Sequence, residues 1–234
     1  MIPDYLKLPP ELAIALLKSR IALPIDYKGL DARLHDYAFM ISGLMRADLL
    51  EDTKKLLLRS LEKGESASDF AANLKEAIAD SGWSPTGKHI NTIFTMNINK
   101  SNWDGRKAQM TSPAMLKARP IWIWKWRDSV VPRPMHKALD GKGIPADHPF
   151  WKSISYPCGF GCRCSAFSAT EDYCKRNGIE ILTNPPDVKL IVDPPFRHKS
   201  ENKTRSQIVQ SGLARLSPNL RSQVAKQFKV KPNG

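Results

Sequence analysis

The sequence lacks any apolar run approaching the roughly 20 residues needed to span a bilayer, so no membrane partner is expected. Its first residues, MIPDYLKLPPEL, put proline and acid where a secretory signal would carry an apolar stretch, which argues against export by that route. Cysteine is scarce: there are four, and three of them fall within positions 158–164. Cys162 and Cys164 are too close along the chain to pair without strain, so the cysteines do not read as a disulfide framework and reduced thiols in a cytoplasm are expected. No glycine-rich phosphate cradle is present, because the GKG at 141–143 is too short for a P-loop and no helical pattern follows it. Acid is nearly missing after residue 196, where one Glu faces nine Lys/Arg.

Hydrophobic residues make up 41% of the 234 positions and charged residues 25%, values of a folded globular chain of one or two domains. The formal charge of +13 is unevenly placed. Residues 1–98 and 138–196 each carry a net −1, whereas 99–137 carry +7 and 197–234 carry +8. Two basic segments, one bearing tryptophans, point towards a polyanion such as double-stranded DNA; a solvated basic surface is the alternative. The residues expected to meet phosphate are Lys125, Arg127, Arg133, Arg197, Lys199, Lys203, Arg205, Arg215, Arg221, Lys226 and Lys229.

Along the chain, ELAIALLKSR after Pro9 and Pro10 predicts a short helix that Pro24 ends. Asp31 can cap a long helix striped by Leu34, Ala38, Ile41, Met45, Leu49, Leu56, Leu57 and Leu61 and closed by Gly64. His35 in its first turn reads as a surface residue. Ser66 with Asp69 forms a capping-box start for a helix striped by Phe70, Leu74 and Ile78. Residues 88–110 predict a third helix, with Asn102 to Gly105 as its end or a kink. Trp122, Trp124 and Trp126 alternate with Ile123 and Lys125, the period of a strand; buried core is expected, with a base-stacking platform as the alternative. EDYCKRNG predicts a short helix or turn, Ile179 to Leu182 a last short strand, and 184–196 an extended connector with two Pro-Pro pairs. Two helices follow, striped by Val209, Leu213 and Leu216 and by Leu220, Val224 and Phe228.

Chemistry-bearing residues concentrate between Trp122 and Thr170. His136, His148, Cys158, Cys162 and Cys164 offer the imidazole and thiolate ligands that zinc prefers, and His136, Cys158, Cys162 and Cys164 are the candidate set for a structural zinc. The alternative is a pair of small buried cysteines on a strand, with His136 bonded to a backbone group. A zinc deaminase is excluded, because Ala138 stands where the proton-shuttling Glu is needed and the second cysteine is one position late. A metal-dependent nuclease or hydrolase using His136 with Asp140 or Asp147 is the competing enzymatic reading.

Arg133-x-x-His136-x-x-Leu139-Asp140-Gly141, then Asp147-His148-Pro149-Phe150-Trp151, then Cys162-Arg163-Cys164 resembles the phage Mu protein F-like head-morphogenesis family. Leu61 to Ser66 before Phe70 and Leu74 is similar to that family's helix, Gly-Ser, helix preface, and the likeness runs over about residues 55–170. The chain departs from the pattern where the central helix usually carries a Thr-Glu pair, and Cys158 and the tail lie outside it. The resemblance implies a minor capsid protein of a tailed phage, found in the virion or prohead and meeting portal, capsid or scaffold proteins. DNA contact is implied for some members, and no enzymatic activity for this domain. The expected architecture is α+β: a helical lobe over 1–112, a small antiparallel strand-and-loop lobe over 113–183 holding the Cys/His cluster, and a connector with a basic helical tail over 184–234.

Overall fold

Turn residues and apolar periodicity set most element boundaries in the computed structural model, which describes residues 11–26, 28–129, 133–197 and 203–230. The architecture is α+β, as expected. The chain forms two compact units, and two of the three boundaries between them fall inside helices. One unit takes the chain up to Ile14 together with Thr95–Phe196; the other takes Ala15–Phe94 together with the chain from Arg197 onward.

The first helix, α1 (Glu11–Ser19), contains the first of these boundaries and leads, in the second unit, into β1 (Ile21–Ala22), which pairs in parallel with β2 (Ala38–Phe39). That pairing overturns the long helix expected from Asp31. Asp31 does cap, accepting the Arg33 N–H at 3.0 Å, but what it starts is a single 3₁₀ turn over Ala32–Asp36. The Ile21 N–H then donates to Tyr37 O and the Leu23 N–H to Phe39 O, so strand pairing takes the backbone groups a helix would need. Gly43 turns the chain at φ 76°, and α2 (Ala47–Lys63) begins only there. Leu34, Ala38 and Ile41 are still core, whereas Met45 is 57% exposed. Gly64 ends α2 in the left-handed region at φ 68°, as its position predicts.

The Ser66–Asp69 capping box is present and opens α3 (Ala67–Ala77). Ser66→Ala should cost about 1 kcal/mol in urea unfolding. The Ser66 side chain and backbone N–H hold the Asp69 carboxyl below its usual range. A depressed carboxyl contributes stability above its unfolded pKa and loses it as pH falls through the folded one, so the penalty should shrink in acid. A penalty unchanged down to the acid limit would mean that the box does not act as drawn.

The next helix, α4 (Gly87–Met110), runs straight through the expected break at Asn102 to Gly105, and the short helices α5 (Pro113–Ala118), α6 (Pro134–Ala138), α7 (Phe150–Ser153) and α8 (Glu171–Arg176) follow it. A Cβ on Gly105 would lie 2.9 Å from the Ala13 backbone nitrogen, so this glycine permits close approach of α1 rather than ending a helix. The tail forms α9 (Arg205–Leu213) and α10 (Pro218–Phe228), the two helices expected. Their stripes Val209, Leu213, Leu216, Val224 and Phe228 join Leu23, Ile25, Leu34, Ala38 and Met40 in one apolar core.

The first unit is built on a three-stranded antiparallel sheet of order β4 (Gly143–Pro145), β3 (Ile121–Lys125), β5 (Ser165–Ala169). Trp122 sits opposite Ile144 on one side and Ser168 on the other, and Trp124 opposite Ala166. As the central strand, β3 is buried on both faces. Ile121 and Ile123 pack with Ala169 and with Cys174 of α8 (Glu171–Arg176). Trp122 and Trp124, 1% and 0% exposed, join Trp103, Trp151, Tyr156, Ile191 and Val192. The two inner indoles are therefore core, and a base-stacking platform on them is ruled out; Trp126 is half-buried. The last expected strand is only a bridge of Ile181 to Gly143. The 184–196 stretch is no free connector: it makes 3₁₀ turns at Val188–Leu190 and Pro194–Phe196 and buries Ile191 and Val192 between them.

Candidate metal centre

Arg133 and His136 owe their places to a short helix, α6 (Pro134–Ala138), with Arg133 at its N-cap and Pro134 in its first turn. His136 is 2% exposed, and its ring lies 5.5 Å from the Trp124 ring, edge on. Its Nε2 is 2.7 Å from the Ile191 carbonyl oxygen. A carbonyl can only accept, so Nε2 carries the proton, and in a neutral imidazole Nδ1 is left as a free lone pair. That lone pair faces two buried thiols, Cys164 Sγ at 3.4 Å and Cys162 Sγ at 3.7 Å. The three ligand atoms lie within 4.8 Å of one another, and the group could hold a metal ion. Zinc bonds of about 2.3 Å to sulfur and 2.0–2.1 Å to nitrogen, at the tetrahedral angle, separate N and S ligands by about 3.6 Å. Both alternatives weighed from the sequence thus contain part of the geometry: His136 is bonded to a backbone group, and that bond fixes the tautomer a metal requires.

Cys158 is also fully buried, but it is not one of the three residues whose ligand atoms lie within 4.8 Å of one another. The neighbouring Cys158 and Cys164 thiols push the Cys162 thiol well below the ordinary range. Burial pushes the Cys158 thiol up, and the bond to Cys162 does the same to Cys164.

The loop bearing these cysteines is strapped from outside. Arg133 Nη2 donates to Asp193 Oδ2 at 2.6 Å and to the Phe160 carbonyl at 3.0 Å, and Nε donates to Asp193 Oδ1 at 3.2 Å. The Asp193 N–H donates to the Cys158 carbonyl at 2.9 Å. A Cβ on Gly159 would fall 2.0 Å from Asp193 Oδ2, so only glycine lets the ion pair lie against the loop there. Gly161, at φ 73°, supplies the reversal before Cys162. The Asn99 side-chain amide donates to the Cys162 carbonyl at 3.4 Å. Ile191 and Asp193 are site residues that sequence reasoning missed. A backbone carbonyl has no residue-type signature, and Asp193 sat in a stretch that read as linker.

The rest of the motif is structural too. Leu139 is core, and Asp140 Oδ1 accepts the Trp126 N–H at 3.0 Å and pairs with Lys125 at 3.1 Å. Gly141 makes the turn at φ 75°. His148 does not join the cluster; its Nδ1 accepts the Phe150 N–H at 3.1 Å. Among the described residues no carboxylate joins the His136 group.

The candidate DNA contacts have varied surroundings. Arg133 and Lys125 are in the ion pairs just described. Arg205 donates to the Phe228 carbonyl at 3.3 Å and lies over the Tyr37 ring, Arg215 donates to the Asp26 carbonyl, and Arg221 donates to the Ala214 and Leu216 carbonyls. Arg127, Lys203, Lys226 and Lys229 are exposed, Arg197 is half-buried, and Lys199 lies outside the described residues.

Comparison with known proteins places the chain in a family. Residues 51–167, half of the chain, match the family described as Phage Mu protein F like protein. The chain is 24% identical over 196 residues to the putative capsid assembly protein F of Escherichia phage Mu, covering 75% of this chain and 44% of that protein. It is 22% identical over 169 residues to the Mu-like prophage FluMu F protein of Haemophilus influenzae, covering 67% of this chain and 40% of the relative. The chain thus spans less than half the length of these curated relatives. No solved structure matches. The matched region contains α6, the Cys162–Cys164 pair and the strand that packs behind them, and the chain belongs to the Phage Mu protein F like family.

Proposed function

We propose that this protein is a minor capsid protein of a tailed phage, acting in prohead assembly or at the portal vertex, without enzymatic activity of its own. Its partners in this reading are portal, capsid or scaffold proteins and, non-specifically, double-stranded DNA, and its place is the virion after assembly in the host cytoplasm. Family membership and a relative named for capsid assembly support the reading. The observation that carries it is that Arg133, His136, Leu139, Asp140, Gly141, Cys162 and Cys164 all serve internal structure. The nuclease reading needs a carboxylate beside His136, and Asp140 is instead bonded to Trp126 and Lys125. Zinc is the ion proposed for the cluster, in a structural role.

DNA contact is tested by salt dependence. Each phosphate-neutralising cation adds about 0.9 to the slope of log affinity against log salt, so Lys226→Gln with Lys229→Gln should lower the slope by about 2. Charge substitutions are needed rather than deletion of 197–234, because deletion would strip the cover from Leu23, Leu34 and Met40. Binding that ignores salt would remove the DNA contact from the proposal, and plasmid cutting with added magnesium would restore the nuclease.

A further inference from the structure

The zinc reading leaves open what fills the fourth position, and the answer decides whether the centre is a closed structural site or an open one that binds water. We propose that Cys158 is the fourth ligand, giving a closed Cys3His centre; this rests on zinc being held by His136, Cys162 and Cys164.

Structural zinc sites are four-coordinate, whereas sites that keep an exchangeable position present three protein ligands and a water. The trio alone resembles the second kind, yet every member is buried, at 2%, 1% and 5% exposure, and so is Cys158 at 0%. Cys158 lies outside the three ligand atoms found within 4.8 Å of one another, so its side chain must turn for its sulfur to join them. Its backbone is fixed by the Asp193 N–H, while the Cys162 N–H donates back to the Gly159 carbonyl at 3.1 Å. Cys158 directly precedes the tight turn that this bond closes from Gly159 to Cys162, and rotation of its side chain would carry its sulfur towards the shared ion.

A divalent cation with three thiolates and a neutral imidazole carries a net −1, and the Arg133–Asp193 pair lies on the outer side of the loop. Loading forms three Zn–S bonds and one Zn–Nδ1 bond, breaks the S–H bonds, and sends up to three protons to buffer. No oxidant or reductant is involved. In this arrangement the ion joins α6, the 158–162 turn and the lead into β5, and through the Ile191 carbonyl on His136 Nε2 it also holds the 188–196 segment.

The test uses the full chain. Elemental analysis should find one zinc per chain, and X-ray absorption at the zinc edge should find three sulfurs at about 2.3 Å and one nitrogen at about 2.0 Å. In the cobalt-substituted protein, thiolate-to-metal charge-transfer absorbance scales with sulfur ligands, so Cys158→Ser should lower it by about one third while Cys174→Ser, outside the centre, leaves it unchanged. A chain that folds without zinc overturns the zinc reading and this inference with it. Zinc bound through two sulfurs, or a Cys158→Ser protein with undiminished charge transfer, overturns only the role of Cys158. The absorption spectrum of the unaltered protein decides the matter even if the variant does not fold.

Discussion

Trp124→Ala should lower the unfolding free energy of the protein by about 3–5 kcal/mol, the range for deleting a fully buried large aromatic side chain. Trp124 is 0% exposed and sits on the central strand, so no edge is available through which water or a loop could fill the space. Its ring lies 4.9 Å from Tyr156, 6.3 Å from Phe150 and 5.5 Å from His136, and the cavity would open between all three. Removing it also frees His136 on one side, so metal affinity should fall along with stability. Circular dichroism during denaturant titration reads the first effect and zinc retention the second. Trp126→Ala, at the half-buried end of the run, is the matched control and should cost clearly less. Equal penalties at the two positions would contradict the burial described here.

Gly159→Ala is expected to cost about 2–4 kcal/mol, combining steric overpacking with disruption of a charge-assisted pair. The added methyl would overlap Asp193 Oδ2, at 2.0 Å, and Arg133 Nη2, at 2.5 Å, and the two could separate only by giving up the bidentate contact. A double-mutant cycle isolates the cause. In an Asp193→Ser background the clash is relieved, so the glycine substitution should be much cheaper there, with a coupling above about 1 kcal/mol. Additive costs would show that Gly159 matters for backbone freedom alone and that the strap across the loop is incidental.

What could be read from the sequence was whatever is encoded locally. The Ser66 cap, the Gly64 stop and the paired stripes of α9 and α10 depend on residues a few positions apart, and each appears where its spacing placed it. The two-residue period of the tryptophans was equally local, and it identified β3 correctly. The false helix from Asp31 shows the opposite case. Leu34, Ala38 and Ile41 have helical spacing, but the partner that draws Ala38 and Phe39 into a strand is β1, more than a dozen residues earlier. The candidate centre divides along the same line. His136, Cys162 and Cys164 stood out by residue type and crowding. The Ile191 carbonyl that fixes the imidazole tautomer, and the Asp193 carboxylate that straps the loop, come from 55 and 60 residues further on and only the fold brings them in.

The unit that combines Ala15–Phe94 with the chain from Arg197 onward has a consequence for the order of events during synthesis. Leu23 and Leu34 find their cover on Val209, Leu213 and Phe228, so that core cannot close until about 190 intervening residues have left the ribosome. The sheet unit, whose Thr95–Phe196 stretch is continuous, can fold while the flanking segments wait. Contacts of such long sequence separation form late and slowly. A chain ending at residue 196 and released from the ribosome should therefore hold an ordered Trp122–Trp124 core beside an amino-terminal segment with its apolar face still uncovered.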